Sequence, residues 1–172
     1  MLQFKWAKSS DSERICQIIR VSFQKQAEEL GITPEKYPNF VAFETAERVQ
    51  SRMNQGDKAI MLFLKDKPIG TISYSVDKES WKGTIKRLAV IPEYRGNGYG
   101  QLLTNYAEGA LKEHPVTCIE LSIVAQFKGL KEYYQSLGYA VRESKRFATL
   151  PFEVLFMEKK IKGEMSGNTK FL

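Results

Sequence analysis

One segment constrains the fold and the chemistry of this chain more than any other. It runs from Ile85 to Leu103 and reads IKRLAVIPEYRGNGYGQLL. An apolar strand leads into a turn with three glycines, and an amphipathic helix follows. Free backbone N–H groups at the start of a helix attract anions, and glycine lets a phosphate approach the backbone. Arg95 adds a planar charge that suits phosphate oxygens, so the segment predicts an anion site.

Two common nucleotide motifs do not match this turn. The dinucleotide fingerprint G-x-G-x-x-G fails because Gln101 stands where the third glycine is needed. Glu120 lies near the start of the next predicted strand, whereas an acid that binds ribose is expected at its far end. A P-loop fails because no Lys-Ser or Lys-Thr follows the glycines. The simpler alternative is a glycine-bearing helix entry with a surface arginine.

The composition predicts one soluble domain. The chain has 172 residues, of which 42% are hydrophobic, enough for one core at residues 1–162 and too many for a disordered chain. Residues 163–172 lose all apolar periodicity and are expected to form a flexible tail.

Cys16 and Cys118 match no metal or redox spacing, so we expect reduced, buried thiols, no metal and a cytoplasmic protein. No apolar run approaches the roughly 20 residues that span a bilayer.

The formal net charge of +6 does not by itself predict nucleic-acid binding. Lysines and arginines are spread along the chain among many glutamates, as on an ordinary solvated surface. A basic stripe with interleaved aromatic residues, typical of nucleic-acid binding, is missing from the sequence. Nucleic acid is therefore ranked last among the possible partners.

The order of predicted elements indicates an α/β (α+β) fold. Antiparallel strands enter a single strand–helix–strand unit, which predicts a mixed, mostly antiparallel sheet with helices on both faces. The predicted strands are Leu2–Ala7, Ala59–Leu64, Ile69–Val76, Thr84–Ile91, Ile119–Ala125, a strand around Val141, and Val154–Met157. The predicted helices are one from Ser9-Ser10-Asp11 to Gly31, one capped by Thr45 and closed by Gly56, one over residues 98–113, and Leu130–Leu137.

The glycine turn resembles the signature of the GCN5-related N-acetyltransferase (GNAT) family. That signature is Arg or Gln, two residues, Gly, one residue, then Gly or Ala, and Arg95, Gly98 and Gly100 meet it. A second motif, YYQSLGY at residues 133–139, is similar to the family's tyrosine, short helix and Gly-aromatic ending. The order of elements also fits, so the resemblance covers nearly the whole chain.

The resemblance implies an acyl-CoA N-acyltransferase fold and acetyl-CoA (or CoA) as the bound co-substrate. The sheet would be split by a bulge near Leu88, where pantetheine lies as a pseudo-strand against the backbone of Leu88 and Val90. The amides of residues 96–101 would take the pyrophosphate, and Lys128 or Lys131 could approach the remaining phosphate. The implied cofactor-binding residues are Leu88, Ala89, Val90, Arg95, Gly96, Asn97, Gly98, Tyr99, Gly100 and Gln101. Phe127 stands where many members have Asn at the start of the last helix.

The resemblance also implies a general acid, Tyr134, which would protonate the departing thiolate. Its position in a helical stripe with Leu130 and Leu137 is equally typical of a core tyrosine. No base is assigned, because Thr84-Ile85-Lys86 lacks the carboxylate that some members carry there. Glu79, Glu120 and Glu153 remain candidates acting through water, although each is more typical of a surface or ion-pairing residue. The lone His114 precedes Pro115 at a helix end and is expected to cap the helix or to be solvated rather than to catalyse.

The expected acceptor is a primary amine on a small molecule, peptide or protein. In the family, the segments that correspond to residues 31–43 and 147–152 commonly shape the acceptor pocket. The aromatic residues of these segments either form a partly apolar wall of the pocket or simply pack the two loops. They are Tyr37, Phe40, Phe43, Phe147 and Phe152. The alternative function is a catalytically weak acetyl-CoA sensor. A monomer or homodimer is expected, with neither membrane nor nucleic acid as a partner.

Overall fold

The structure is a computed structural model, and it describes residues 1–161. This range contains seven strands and four α-helices. The strands are β1 Leu2–Trp6, β2 Lys58–Leu64, β3 Lys67–Asp77, β4 Lys82–Val90, β5 Cys118–Val124, β6 Ala140–Arg146 and β7 Glu153–Lys160. The helices are α1 Ser12–Leu30, α2 Ala46–Asn54, α3 Tyr99–Leu111 and α4 Lys128–Ser136. The predicted flexible tail at 163–172 lies outside the described residues.

The strands pair in the order β1-β2-β3-β4-β5-β7-β6, which confirms the predicted mixed sheet. The pairs β1–β2, β2–β3, β5–β7 and β6–β7 are antiparallel. β4 and β5 are parallel, with Lys82–Thr84 in register with Cys118–Glu120. This parallel pair needs a crossover, and α3 is the helix of the connection between the two strands.

The chain divides into two compact units, each described here by itself. The first comprises Met1–Ser75 and Lys86–Ala107, and the second comprises Val76–Ile85 and the chain from Glu108 onward. The single domain expected from the sequence stays a prediction. No helix in residues 1–161 is both long enough and apolar enough to cross a membrane.

In the first unit, helices cover both faces of the strands. Ile15 and Ile19 of α1 share a buried cluster with Met61 of β2, so α1 packs on one face. On the other face, Leu103 of α3 lies so close to Gly70 that a methyl group there would come within 2.9 Å of Leu103 Cδ1. Glycine suits this position because a larger residue would have to displace the Leu103 side chain and would also crowd the Ala89 carbonyl at 3.1 Å.

The β2–β3 hairpin is closed by a two-residue turn. Lys65 and Asp66 both have positive φ, 48° and 67°, and Leu64 is paired with Lys67. Two left-handed central residues define a type I′ turn, whose twist matches that of antiparallel strands. The turn lies between the predicted strands Ala59–Leu64 and Ile69–Val76, and β3 begins two residues earlier than predicted, at Lys67.

The predicted end of α1 and the predicted start of α2 are also confirmed. Gly31 follows α1 with φ 65°, the left-handed conformation that terminates a helix. The Thr45 side chain accepts a hydrogen bond of 3.1 Å from the Arg48 amide and so caps the start of α2.

The second unit contains a buried polar cluster. The Tyr139 hydroxyl donates to Glu108 Oε2 at 2.7 Å, and Lys159 Nζ donates to Glu108 Oε1 at 3.0 Å. Glu108 is only 5% exposed, so both partners are needed to offset the loss of hydration of its carboxylate. Nearby, a methyl group at Gly83 would come within 2.8 Å of Leu111 Cδ2, which shows how tightly α3 meets β4 there.

A second buried carboxylate, Glu44, lies in the first unit just before α2. Glu44 is 1% exposed and accepts from three arginines. Arg48 Nε donates to its Oε1 at 3.2 Å, Arg87 Nε donates to Oε2 at 3.1 Å, and Arg52 Nη2 donates to Oε2 as well. The Thr45 amide donates to Oε1 at 3.3 Å. The cluster of Glu44, Arg48, Arg52 and Arg87 is called the Glu44 cluster below.

The charges in the Glu44 cluster keep Glu44 ionised. Burial by itself raises the pKa of this carboxyl, but the hydrogen bond and charge of Arg52, together with the charge of Arg87, outweigh burial and lower the pKa below its ordinary value. A group with a lowered folded-state pKa stabilises the protein above its unfolded pKa and loses that contribution as the pH falls through the folded value.

Replacing Glu44 by Gln should lower the free energy of unfolding at pH 7 by about 3 kcal/mol, because three guanidinium groups then lack their shared carboxylate. Urea unfolding at pH 7 and at pH 3.5 measures this. The wild type should lose stability between the two values, and the variant should lose less. The exposed α2 residue Glu47 provides the control, with a change below about 0.5 kcal/mol for Glu47→Gln. An acid-dependent loss as large in Glu44→Gln as in the wild type would contradict the assignment.

Candidate functional site

The candidate site is the turn between β4 and α3, and it lies wholly in the first unit. β4 ends at Val90, and the Ile91 amide donates to Ile69 O at 2.9 Å, which holds the strand end against β3. A single helical turn, Pro92–Tyr94, follows. Gly96 and Gly98 then have φ of 83° and 81°. These two residues need glycine because other side chains rarely adopt that conformation.

The space above both glycines is open. A Cβ atom added at Gly96 or Gly98 would meet no heavy atom within 4 Å apart from those of the adjoining residues. The Leu102 amide donates to Gly98 O at 3.0 Å, so the first intrahelical bond of α3 begins at Gly98. The amides of residues 99–101 precede that bond and point out of the helix end, where the helix dipole is positive. The turn therefore has the form of an anion cradle made of backbone.

Arg95 has a different environment from the one expected. Its Nε donates to Val90 O at 3.1 Å, and its Nη2 donates to Ser22 O on α1. Two of its N–H groups are thus used to tie the turn to the end of β4 and to α1. Asn97 Nδ2 donates to Tyr94 O at 3.0 Å and closes the turn locally. Phosphate contact by Arg95 stays a prediction, and the geometry gives this residue a structural role that the sequence did not indicate.

Immediately before the turn, β4 contains a left-handed residue. Arg87 has φ 51° and stands beside Leu88, where a bulge was expected. Such a residue interrupts the regular strand and changes the direction of the peptide groups that follow. Leu88, Ala89 and Val90 form the last part of β4 after this interruption.

Tyr134 lies on α4 in the second unit and is buried, with 7% exposure. Its ring meets those of Tyr133 and Tyr139 edge-on, with centroid separations of 5.1 Å and 6.0 Å. Burial, with a smaller contribution from Tyr133, raises the pKa of Tyr134 well above that of a free phenol. Tyr134 therefore keeps its proton at neutral pH, and its surroundings are those of a core tyrosine.

The carboxylates considered as bases are largely paired. Glu120 Oε1 lies 3.2 Å from Lys82 Nζ and 3.2 Å from Arg142 Nη2. Glu153 lies 3.7 Å from Arg146. Glu79 is exposed in the β3–β4 turn, and His114 is exposed in the turn after α3. Glu120 and Glu153 are thus engaged in ion pairs, and Glu79 and His114 lie in exposed turns, so these contacts favour none of them as the base.

The aromatic residues of the two expected acceptor loops differ in exposure. Phe40 and Phe152 are both 7% exposed and belong to the packed interior, which favours the loop-packing interpretation for them. Phe147 is 40% exposed. Tyr37 and Phe43 are intermediate, and the Phe43 ring lies 6.1 Å from that of Phe40.

At the start of α4, Phe127 occupies the cap position without a side-chain cap. Lys128 is exposed and Lys131 is half-buried. The structure thus brings together residues 88–90 and 95–101 in the first unit, and it places Tyr134, Lys128 and Lys131 in the second.

The sequence reasoning missed the Glu44 cluster. Glu44 meets Arg87 across 43 positions of the chain, and an acidic residue before a helix gives no local signal of burial. Among residues 1–161, no group of three or more His, Cys, Asp or Glu side chains is arranged to hold a metal ion.

Comparison with known proteins supplies the family. The model of the acetyltransferase (GNAT) family matches residues 13–139, more than half of the chain. No curated protein sequence matches the chain.

Several solved structures share the fold. One is the PaiA N-acetyltransferase from Thermoplasma acidophilum in complex with coenzyme A, at 21% identity and a TM-score of 0.74, covering 94% of this chain and 99% of that one. A second is the ribosomal-protein-S18-alanine N-acetyltransferase from Escherichia coli, at 16% identity and a TM-score of 0.73, covering 94% of each chain. A third is a GNAT acetyltransferase from Staphylococcus aureus Mu50, at 20% identity and a TM-score of 0.70, covering 94% of this chain and 100% of that one.

Replacing Arg95 by Ala should loosen the turn, because the carbonyls of Val90 and Ser22 lose a charged donor. The free energy of unfolding should fall by about 2 kcal/mol, and the amides of residues 96–101 should exchange with solvent about tenfold faster. Hydrogen exchange read by mass spectrometry or NMR measures the second effect. Arg14→Ala, at an exposed position of α1, is the control. Unchanged exchange at residues 96–101 would show that Arg95 does not hold the turn.

Proposed function

The chain belongs to the GNAT family of acetyltransferases, and from that premise we propose that it transfers the acetyl group of acetyl-CoA to a primary amine. The match confirms the resemblance inferred from Arg95, Gly98 and Gly100. The donor, the amine and the residues below are the proposal. The buried, unpaired thiols of Cys16 and Cys118 support a cytoplasmic location for this activity.

The observation that carries the proposal is the open backbone turn of residues 95–101. Left-handed Gly96 and Gly98 leave open space at their Cβ positions, and the amides at the start of α3 are those that a helix leaves without an intrahelical partner. A pyrophosphate fits these features because it needs several convergent N–H donors and close approach to the main chain. Arg95 supports the cradle from behind by fixing the carbonyls of Val90 and Ser22.

We assign the pantetheine arm to the backbone of Leu88, Ala89 and Val90. These residues are the end of β4 that leads into the turn, and extended amides pair readily with a strand edge. In the reaction, the amine nitrogen forms a bond to the thioester carbonyl carbon, the carbon–sulfur bond breaks, the departing thiolate takes up a proton to become the thiol, and the amine loses a proton. Holding the two reactants in line supplies much of the rate.

Tyr134 is the proposed partner of the leaving sulfur. Because its pKa is raised by burial, it stays protonated and can donate a hydrogen bond to a thiolate. The amine has a pKa of about 10 and must lose its proton before attack. With Glu120 and Glu153 paired to cations, we assign this step to solvent, so the transfer rate should rise with pH up to the amine pKa.

The acceptor is a primary amine of a small molecule or of a peptide. Exposed Phe147 and half-buried Tyr37 and Phe43 support a partly apolar contact with it, whereas buried Phe40 and Phe152 serve packing. A catalytically weak sensor is the second candidate, favoured by the paired carboxylates and by the high pKa of Tyr134.

Replacing Gly98 by Leu should raise the dissociation constant of CoA by at least tenfold, an effect of about 1.4 kcal/mol, because the side chain would fill the space above the turn. Isothermal titration with CoA up to millimolar concentration measures this. Gly31→Leu is a matched control, since Gly31 also has positive φ and no heavy atom near its Cβ position but lies outside the turn of residues 95–101. Both variants place a side chain at a position with positive φ, so equal loss of affinity in both would refute the placement of the donor site. Failure of the wild type to bind millimolar CoA would refute the function.

Replacing Tyr134 by Phe should lower kcat by about a hundredfold while leaving the fold intact. Thiol release from acetyl-CoA with a panel of small amines and short peptides measures this. Tyr139→Phe is the contrasting variant, because it should lower the free energy of unfolding by about 1.5 kcal/mol through loss of the bond to Glu108 and leave kcat unchanged. Equal kcat in the wild type and Tyr134→Phe would remove the proposed role. CoA binding without thiol release by any amine would favour the sensor.

A further inference from the structure

Arg87 adopts a conformation in β4 that is costly for an arginine. Its φ of 51° lies in the left-handed region, which residues with a side chain avoid and glycine enters freely. Bulges of this kind normally carry glycine at the left-handed position. Some contact must therefore hold an arginine here.

The directions of the Lys86 and Arg87 side chains also depart from those of a regular strand. Consecutive residues of a regular strand point to opposite faces. Lys86 Nζ, however, donates to Asp57 Oδ1 at 3.1 Å just after α2, and Arg87 Nε donates to Glu44 Oε2 at 3.1 Å just before α2. Two successive side chains thus reach the two ends of one helix, which agrees with an interruption of the regular strand at the left-handed residue.

Glu44 is suited to hold this bulge because it is itself immobilised. It is 1% exposed, and Arg48, Arg52 and the Thr45 amide all donate to its carboxylate besides Arg87. Its backbone is fixed too, since its carbonyl accepts from Cys16 Sγ at 3.3 Å. Arg48 and Arg52 lie on α2, so the carboxylate links that helix to β4.

We propose that Glu44 is a positioning residue, which holds Arg87 left-handed and so sets the direction of the peptide groups of Leu88, Ala89 and Val90. This inference rests on the proposed function, which assigns those peptide groups to the acetyl-CoA donor. Because Glu44 lies just before α2 and contacts β4, the part of β4 assigned to acetyl-CoA is also sensitive to a residue that does not itself touch the substrate. The proposal therefore requires a negative charge at residue 44 and a side chain at residue 87 that is long enough to reach it.

The decisive comparison is Arg87→Ala against Arg87→Gly. Both variants remove the contact with Glu44 and leave that carboxylate its bonds to Arg48 and Arg52. Alanine must still be forced left-handed, whereas glycine adopts the conformation unaided. Titration with CoA should give a dissociation constant raised about tenfold in Arg87→Ala, since a small misplacement is costly, and within about threefold of the wild type in Arg87→Gly. Equal affinities in the two variants overturn the proposal.

Glu44 is tested in the same assay at a temperature where circular dichroism shows every variant folded. Glu44→Gln should weaken CoA binding about tenfold, and adding Arg87→Gly to it should restore binding. Arg48→Gln is the control, because it removes a donor to Glu44 that does not touch β4, and it should bind CoA as the wild type does. Wild-type affinity in Glu44→Gln, or no restoration by Arg87→Gly, overturns the proposal.

A measurement without ligand separates this inference from the proposed function. Hydrogen exchange of the amides of residues 87–91 should be faster in Arg87→Ala and in Glu44→Gln, and normal in Arg87→Gly. If the wild type binds no CoA, the proposed function fails, and the exchange pattern still decides whether Glu44 holds the bulge. Identical exchange in all variants overturns the positioning role even where CoA binds normally.

Discussion

Glu44 carries a negative charge inside the first unit, and the surrounding chain is arranged to neutralise it. An ionised carboxylate removed from water is unfavourable by several kcal/mol unless cations and hydrogen-bond donors surround it. Here the donors come from α2 and from β4, while the aromatic segment before α2 supplies Glu44 itself. The Glu44 carboxylate therefore links α2 to β4, which are far apart in sequence. The left-handed conformation of Arg87 is unfavourable by roughly 1–2 kcal/mol, and the contact with Glu44 offsets this energy.

In the turn after β4, Arg95 and the glycines have separate roles. In the sequence, Arg95 and the glycines form one anion motif. In the structure, the arginine donates to Val90 O and Ser22 O, while Gly96 and Gly98 leave the outer side open. A backbone cradle binds an anion through dipoles that are already oriented, so rigidity matters as much as charge. An arginine directed inward supplies that rigidity.

Much of the fold followed from local patterns, and the reason is physical. Alternation and helical periodicity report which face is buried, so the strands, the four helices and the caps at Gly31 and Thr45 were predictable. The type I′ turn at Lys65 and Asp66 was also placed correctly. The left-handed conformation at Arg87 was not predictable, because arginine has no local preference for that region, and a bulge near Leu88 was implied only by the resemblance. The Glu44 cluster was not predictable, since its energy comes from contacts across the fold rather than from neighbours in sequence.

The burial of Tyr134 bears on how a phenol of such high pKa could assist a leaving thiolate. A free thiol has a pKa of about 8.5, so complete proton transfer from a weaker acid is unfavourable in water. Apolar surroundings, however, disfavour every anion, and they raise the pKa of a thiol as they raise that of a phenol. Where both groups share one environment, the gap between them stays close to its value in water. A buried tyrosine then loses little as a hydrogen-bond donor, and it gains because it never ionises in competition with the thiolate.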